Sequence, residues 1–412
     1  MAGLSVVLAQ VHRDPAAAPG VAQPLGEALR LAQQRVQALE LPDRVEGAAQ
    51  VEAEGLAERL GDARRRGWVS MHLGEYDRQT GHFREASALI ERAREIASAI
   101  GDLPLRLAAD QYLGMAFHAL GDYRRAADHE RRAAEFPREE PAPGGFGPTQ
   151  MGTPAGFRAV SLGWLTRCLA EIGEFEQGIV TGREAVRLAE EIDRPYAIVS
   201  ASWGLGYLYG VRGDLESATL LLDRALASAR GAGLTRLLPQ VMRALGAAYA
   251  LMGRVAEGTA LLEEALALSE SIHLRVAESS SLVLLGEAHL LAGRIEEAHV
   301  AATRALAMAR GRGQRGDEAS ALHLLGDIAA RRGAGEAEAA EGQLRAAVEL
   351  ATELGMRPLL ARARLTLAGA CRRTGDASRA TDELAAAGAL FRDLGMRFWL
   401  ARAEEEGSSR GR

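Results

Sequence analysis

Two short patterns and nine histidines carry the residue types that elsewhere perform chemistry. Gly311, Gly313 and Gly316 satisfy the GxGxxG spacing of a dinucleotide-binding loop, and the AVSLG stretch around Ser161 is similar to a nucleophile elbow. A dinucleotide loop needs a preceding strand and a βαβ unit, whereas GRGQRG follows the helical stretch EEAHVAATRALAMAR. The Ser161 stretch lacks both the first glycine of an elbow and a preceding strand. We therefore predict an inter-helix loop for the first pattern and helix for the second.

The remaining chemistry-bearing residues form no catalytic or metal-binding arrangement in the sequence. The histidines are scattered, and no HExxH pair occurs. The chain contains no lysine, which excludes a phosphate-binding GxxxxGK[ST] loop and Schiff-base catalysis by the chain itself. The acidic stretches are typical of helix ends and solvated helix faces. We therefore predict a protein that is not an enzyme and has no metal or cofactor.

Composition narrows the class of protein further. The chain has 412 residues, 48% apolar residues and a net charge of −6, which are typical of a folded protein and disfavour direct nucleic-acid binding. No apolar run approaches the ~20 residues that span a bilayer, so no membrane partner is expected. Cys168 and Cys371 lie far apart and outside any CxxC pair, which favours core thiols in a reducing compartment. We predict a cytoplasmic location.

A repeat of about 40 residues runs along most of the chain. Eight glycines are spaced by 40, 52, 40, 40, 40, 40 and 42 residues: Gly81, Gly121, Gly173, Gly213, Gly253, Gly293, Gly333 and Gly375. Apolar residues at i, i+3, i+4 and i+7 on both sides of each glycine predict two amphipathic helices, and the glycine provides the turn between them. Each repeat is therefore predicted to be a helical hairpin.

Such a hairpin cannot bury its remaining apolar face alone, so neighbouring hairpins stack into a continuous array. The pattern L-G-x-x-(Y/F)-x-x-x-G-x-(Y/F)-x-x-A resembles the tetratricopeptide repeat, with the period stretched from 34 to 40 residues. It is carried by Leu113, Gly114, Phe117, Gly121, Tyr123 and Ala126. Armadillo and HEAT repeats have a similar period but lack this glycine and alanine signature. We predict an all-α fold, a right-handed α-solenoid of about eight to nine antiparallel helical hairpins.

A narrower resemblance covers nearly all of the chain. The segments GMRPLLARARLTLAGACRRTGD at 355–376 and GMRFWLARAE at 395–404, with a proline-rich insertion after the second clear repeat, resemble the C-terminal repeat region of bacterial class III adenylate/guanylate cyclase proteins. In that family a cyclase domain and an AAA-type ATPase domain precede the repeats. The resemblance implies a regulatory or sensing arm, standing alone or cut from a longer parent, with a cyclase or ATPase domain as its partner.

Prolines and breaks in the period divide the chain into seven segments. In order, they are a mobile N-terminal segment at 1–24, a degenerate repeat at 25–62, repeats one and two at 63–136, a Pro/Gly-rich insertion at 137–156, repeats three to eight at 157–394, a capping helix at 395–406 and a disordered tail at 407–412.

The first helix of each repeat is predicted to line a concave groove that binds a partner. By register with the tetratricopeptide pattern, the groove residues are Glu75, Arg78, Gln111, Met115, His118, Arg167, Trp203, Tyr207, Arg243, Glu287, His323 and Asp327. Trp203 and Tyr207 lie one helical turn apart, and packing between repeats is the alternative role for both. Phe146 and Met151 in the insertion are predicted to fold back near Tyr207 and gate the groove.

The shape of the array thus carries the functional prediction. We expect a non-enzymatic interaction and sensing module that binds a protein or peptide partner on the groove, as the regulatory arm of a cyclase/ATPase-type signalling system. One alternative is a small-ligand-sensing solenoid of a STAND-type transcription activator, whose DNA-binding domain would be encoded elsewhere. The other is a fragment of a cyclase parent chain.

Overall fold

The computed structural model describes residues 63–135 and 153–408, and every regular element in these ranges is helical. The seventeen α-helices are α1 (Ala63–Thr80), α2 (Phe83–Ile100), α3 (Leu103–Leu120), α4 (Tyr123–Ala133), α5 (Pro154–Ile172), α6 (Phe175–Ile192), α7 (Pro195–Arg212), α8 (Leu215–Gly231), α9 (Leu238–Leu251), α10 (Val255–Ser271), α11 (Glu278–Leu291), α12 (Ile295–Arg312), α13 (Arg315–Arg332), α14 (Ala337–Glu353), α15 (Arg357–Arg373), α16 (Ala377–Asp393) and α17 (Arg397–Ser408). Short 3₁₀ turns at Arg275–Ala277 and Ala334–Glu336 precede α11 and α14.

Successive helices pair into eight hairpins, numbered 1 to 8 from α1/α2 to α15/α16, and α17 follows the last hairpin. Each helix contacts mainly its neighbours in the sequence, as in a stacked array. The predicted all-α solenoid of tetratricopeptide type is therefore confirmed.

The eight periodic glycines end the first helix of each hairpin. All eight have φ between 75° and 111°, a region that residues with a Cβ rarely adopt. At the representative turn of hairpin 2, the Gly121 amide donates to the His118 carbonyl (3.1 Å) and the Asp122 amide donates to the Phe117 carbonyl (2.9 Å). The Asp122 side chain then accepts from the Arg125 amide and begins α4. The chain thus reverses direction within two residues.

The two helices of a hairpin approach closely where the repeat places small residues. Ala126, Ala218 and Ala298 are completely buried at this position. In hairpin 5 the approach is between backbones, because a Cβ added to Gly258 would lie 2.5 Å from the carbonyl oxygen of Gly246. The small side chains therefore set the distance between paired helices.

The array coils so tightly that each of the first four hairpins contacts the part of the array that lies five hairpins further along the chain. The contact is with a helix of that later hairpin, with the turn before it or with the terminal helix α17. Helix α3 meets α13, α5 meets α15, and α1 meets the 3₁₀ turn before α11. At these contacts a Cβ on Gly121 would lie 2.8 Å from the Gly316 amide nitrogen, and one on Gly213 would lie 2.7 Å from Cβ of Phe398. The coil therefore closes on itself after about five hairpins.

An apolar cluster joins the middle of the array to its C-terminal end. Phe175 of hairpin 3 and Leu208 of hairpin 4 pack in one buried cluster with Phe391, Met396 and Trp399 from the C-terminal end. Burial of apolar surface between segments so distant in the sequence stabilises the closed coil. Closure of the coil therefore depends on burial of apolar side chains as well as on close contacts at the hairpin turns.

Two predicted boundaries need correction. Helix α5 begins at Pro154, with Thr153 accepting from the Gly156 amide (3.0 Å), so the last residues of the predicted insertion at 137–156 are helical. Helix α17 extends to Ser408, because its last turn continues past the predicted end at 406. The predictions for 1–24, for 25–62 and for most of the insertion lie outside the described residues.

The Ser161 stretch lies in a helix as predicted, whereas the GRGQRG stretch, predicted as an inter-helix loop, has only Gly313 and Gln314 outside helices. Gly311 lies in α12 and Gly316 in α13, on either side of a two-residue turn with no strand before it, and Ser161 lies within α5. Cys168 and Cys371 are free and buried, which confirms that both are core thiols. Among the helices of the described residues, none has both the length and the apolar character that crossing a bilayer requires.

Candidate functional site

The closed coil surrounds a cavity of about 210 Å³, here called the central cavity. Its volume is many times the roughly 10–15 Å³ that a single enclosed water needs. All eight hairpins contribute residues from their first helices, and Tyr123 of α4 and Trp399 of α17 complete the lining. A ligand in this cavity would therefore contact both turns of the coil at once.

The structure brings together seven of the twelve residues predicted for the groove. Those lining the central cavity are Arg78, Met115, His118, Arg167, Tyr207, Arg243 and Glu287. Those outside the lining are Glu75, Gln111, Trp203, His323 and Asp327.

Two of the residues outside the lining connect neighbouring helices. Gln111 is completely buried, and its Nε2 donates to Ser161 Oγ (3.0 Å) between α3 and α5. Trp203 is only 1% exposed and packs edge-on against Trp164, with ring centroids 5.3 Å apart. The longer helices of this repeat bury both side chains between hairpins, so Trp203 packs while Tyr207, one turn later, reaches the cavity.

Each of the other three has a polar side-chain partner. His323 lies with Nε2 2.9 Å from Thr366 Oγ1, and burial lowers the pKa of His323 to about 4. Glu75 accepts from Arg78 (2.6 Å), and Asp327 accepts from an arginine one turn later on α13 (3.0 Å). Glu75 thus touches the cavity only through the arginine that it holds.

Arg167 is the most unusual residue of the lining. Its guanidinium lies over the rings of Trp164 (4.6 Å), Trp203 (4.1 Å) and Tyr207 (5.0 Å). The residue is 5% exposed, and among the described residues no hydrogen bond or ion pair to the guanidinium is found. Burial lowers the pKa of Arg167, but an arginine stays charged at neutral pH. The cavity wall therefore carries a positive charge held by aromatic faces alone.

Arg243 adds a second buried guanidinium that has only neutral partners. Its Nη1 donates to the Ala277 carbonyl (3.3 Å) and to Ser280 Oγ (2.5 Å). Burial, and then the charge of Arg167, lower the pKa of Arg243 to about 10. The two arginines repel each other across the cavity, which raises its affinity for an anion.

The other two arginines of the lining differ because each is neutralised. Arg78 donates to Glu75 (2.6 Å), and Arg362 donates to Glu287 (2.6 Å) while lying over the ring of Trp399 (4.6 Å). These pairs satisfy the ordinary expectation that buried charges have opposite partners. Arg167 and Arg243 differ from this pair because neither has a carboxylate partner among the described residues, and Arg167 has no hydrogen-bond acceptor there either.

Two carboxyl groups in the lining bind neutral donors instead. Glu171 accepts from Tyr207 Oη (2.5 Å), and Asp317 accepts from Ser279 Oγ (2.5 Å). Burial raises the pKa of both carboxyl groups, although the nearby Arg167 opposes the shift. Neither carboxylate forms an ion pair with Arg167, so the arginine keeps its donors free.

His118 faces the same space without a hydrogen-bond partner. Its Nε2 is buried and lies 3.8 Å from Glu171 Oε1. Burial and the neighbouring arginines, first Arg167 and then Arg243, lower the pKa of His118 well below its ordinary value. The imidazole is therefore neutral at pH 7 and adds a second unpaired polar group to the wall.

The arrangement can recognise a polar group. Among the described residues no three His, Cys, Asp or Glu side chains come together as metal ligands. What the cavity presents is buried positive charge, aromatic rings and an apolar wall. These are the properties of a binding site for a small or extended anionic group.

Register alone missed several residues of the lining. They are Tyr123, Trp164, Glu171, Ser280, Asp317, Arg362 and Trp399. Trp164 and Glu171 lie about one helical turn before and after Arg167, a spacing that the sequence displays, whereas Asp317, Arg362 and Trp399 enter because hairpins distant in the sequence meet. Phe146 and Met151 lie outside the described residues, and their gating role stays a prediction.

Comparisons with known proteins agree with this architecture. Residues 237–311 match the family model described as tetratricopeptide repeat. No curated protein matches the chain. The segment matched is less than a fifth of the chain and contains α9, α10 and most of hairpin 6.

Solved structures resemble most of the chain at low sequence identity. A Rap conjugation gene regulator of the plasmid pLS20, in complex with the Phr* peptide, is 13% identical with a TM-score of 0.56, covering 92% of this chain and 96% of that one. A Rap protein complexed with Competence and Sporulation Factor is 12% identical with a TM-score of 0.54, covering 84% and 99%. These likenesses concern the fold.

A STAND protein with a tetratricopeptide repeat sensor from Pyrococcus horikoshii is 16% identical with a TM-score of 0.47, and the match covers 92% of this chain. The chain spans about half of that protein, 53% of its length.

Proposed function

We propose that this chain is a non-catalytic sensing module that binds a short peptide segment in its central cavity. The observation that carries the proposal is a cavity lined by all eight hairpins and closed by contacts five hairpins apart. A ligand that touches both turns stabilises the closed coil relative to an open one. Binding would thereby change the shape of the whole array.

The solved structures support a peptide as the ligand. Two with TM-scores above 0.5 are a Rap regulator in complex with the Phr* peptide and a Rap protein complexed with Competence and Sporulation Factor. Both match nearly their full length to this chain. A cavity of about 210 Å³ also suits a peptide segment better than a folded domain.

The same cavity supports a small-ligand sensor as the second candidate. A volume of about 210 Å³ and a buried, unpaired guanidinium suit a single organic molecule as well as a peptide end. In both cases the chain acts by a change of shape that a partner reads.

We further propose a cyclase or ATPase domain as that partner, acting in the cytoplasm. The proposal rests on the resemblance of 355–376 and 395–404 to cyclase-associated repeats. Both segments lie in α15 and α17 and supply Arg362 and Trp399 to the cavity. A ligand would thus contact the segments that carry the resemblance.

Titration of the full chain with mixtures of random tetrapeptides and hexapeptides, read by native mass spectrometry, tests the binding function. Ala247→Trp fills the cavity, because Ala247 lies in its lining. We expect this variant to lose at least tenfold in affinity, while the matched Ala227→Trp at an exposed position of α8 keeps it. Binding by neither mixture, or equal binding by the Ala247→Trp variant, contradicts the proposal.

A further inference from the structure

Two arginines of the central cavity, Arg167 and Arg243, have no carboxylate partner among the described residues, and Arg167 also lacks a hydrogen-bond acceptor there. Arg78 and Arg362 each form an ion pair with a carboxylate. Arg167 is as deeply buried as Arg78, but its guanidinium lies over three aromatic rings and forms no ion pair with a described residue. A buried charge is unfavourable unless it is paired. The positive charge of Arg167 is therefore not balanced by a carboxylate of the described residues.

The carboxyl groups nearby do not form an ion pair with Arg167. Glu171 is engaged by Tyr207 and Asp317 by Ser279, at 2.5 Å in each case. Arg243 faces the same space and donates only to a carbonyl and a hydroxyl, so it adds positive potential. His118 contributes a buried Nε2 without a partner. Arg167, Arg243 and His118 thus line the same cavity, and neither arginine has a carboxylate partner among the described residues.

We infer that the central cavity binds a carboxylate-bearing ligand whose carboxylate pairs with the Arg167 guanidinium. The inference rests on the proposed ligand-binding function and names the chemistry of its ligand. A guanidinium stacked on aromatic faces keeps its edge N–H groups free, and their fork geometry matches a carboxylate. Stacking on three rings also holds the group in place before the ligand arrives.

The rest of the lining indicates an apolar body for the ligand. Carbon-rich side chains make up much of the wall around the charged groups: Met115, Ala247, Leu251, Leu284 and Leu359. Two sources of such a ligand share this chemistry, a free organic acid and the terminal carboxylate of a peptide. Both would place the carboxylate at Arg167 and the apolar part against this wall.

The test compares acids with their neutral amides on the full chain at pH 7.5. The probes are isovalerate and phenylacetate against isovaleramide and phenylacetamide, and tetrapeptide mixtures with free or amidated C termini. Tryptophan fluorescence reports binding, because Trp164 and Trp399 line the cavity. We expect at least one acid to bind tenfold or more tightly than its amide in the unmodified protein, a comparison that needs no variant.

The Arg167→Met variant removes the charge and keeps the length of the side chain. It should abolish the preference for acid over amide, and circular dichroism should show unchanged helicity. Arg230→Met is the matched control, since Arg230 is half exposed on α8 and pairs with Glu264 (3.1 Å). This control should keep the full preference.

Three results overturn the inference: equal affinity for acid and amide, no binding by any acid of the panel, or an acid preference that persists in Arg167→Met. If amidated peptides bind as well as free ones and Ala247→Trp blocks both, the binding function stands and only the carboxylate inference fails. Tighter binding by the free organic acids assigns the carboxylate to a small molecule, and tighter binding by the peptides assigns it to a chain terminus.

Discussion

Buried polar groups are the feature that distinguishes this array at the residue scale. Arg167 is the positively charged example, and Glu130 in α4 is its counterpart of opposite charge. Glu130 is completely buried, and neither carboxyl oxygen has a hydrogen-bond partner among the described residues. The carboxyl group packs on α3, where a Cβ on Gly114 would lie 2.5 Å from Oε1. Burial, and then the charge of Asp110, raise the pKa of Glu130 well above 4.5.

Replacement of Glu130 by glutamine should stabilise the protein at high pH. Because the folded-state pKa exceeds the unfolded one, the unfolded chain loses its proton first. The stability linked to neutral Glu130 is complete below about pH 4.5 and is lost as the pH rises. Each pKa unit corresponds to about 1.4 kcal/mol. We expect Glu130→Gln to melt near the unmodified protein at pH 4.5 and a few degrees higher at pH 8.

Differential scanning calorimetry at the two pH values measures this effect. The matched control is Glu216→Gln at an exposed position of α8, which should show no pH-dependent gain. A melting difference for Glu130→Gln that stays constant between pH 4.5 and pH 8 would argue against a neutral Glu130.

At the scale of the elements, the paired helices owe their spacing to small residues. Gly258 of α10 lies against the backbone of α9, and an added Cβ would meet the Gly246 carbonyl oxygen at 2.5 Å and the Ala250 nitrogen at 2.8 Å. Gly342 of α14 is also inside a helix but is exposed, with nothing within 4 Å of an added Cβ. The same substitution therefore has opposite expected effects at the two positions.

Gly258→Ala should destabilise the protein by about 1–3 kcal/mol, because backbone atoms cannot move aside as a flexible side chain can. Gly342→Ala should stabilise it by roughly 0.5–1 kcal/mol, because alanine loses less backbone entropy in a helix. Urea unfolding monitored by circular dichroism measures both. Effects of the same sign at the two sites would mean that the helix approach in hairpin 5 is not limiting.

Closure of the coil is the property that belongs to the whole molecule. Leu394 is buried against the turn of hairpin 3, where a Cβ on Gly173 would lie 2.7 Å from its Cδ2. Leu394→Asp places a carboxylate in this apolar contact, which is unfavourable. Each hairpin forms its own helices, so the array should open without losing helicity.

Small-angle X-ray scattering measures this opening. The radius of gyration of Leu394→Asp should exceed both that of the unmodified chain and the ~22 Å of a compact chain of this length. Leu220→Asp, at a leucine that is 69% exposed on α8, should leave it unchanged. Loss of helicity in Leu394→Asp at an unchanged radius would mean that closure and hairpin folding are one process.

The sequence by itself determined the elements of this protein and their pairing. The spacing of the glycines identified the eight turns, and the spacing of the apolar residues around them identified the hairpins. Both signals can be read from the sequence because the helical period and a positive φ depend on residues that are close together in the chain. The sequence also placed Arg167, Tyr207 and Arg243 on the inner side of the array, since inner positions recur with the repeat.

Only the tertiary structure decided that the groove closes into a cavity. The contact of Gly121 with Gly316 depends on small rotations accumulated over five hairpins, and no local pattern records that sum. The closure brings Asp317 and Arg362 into the lining and leaves Trp203 buried between helices. The absence of a carboxylate partner at Arg167 is decided in the same way, because pairing depends on which distant side chains reach the same space.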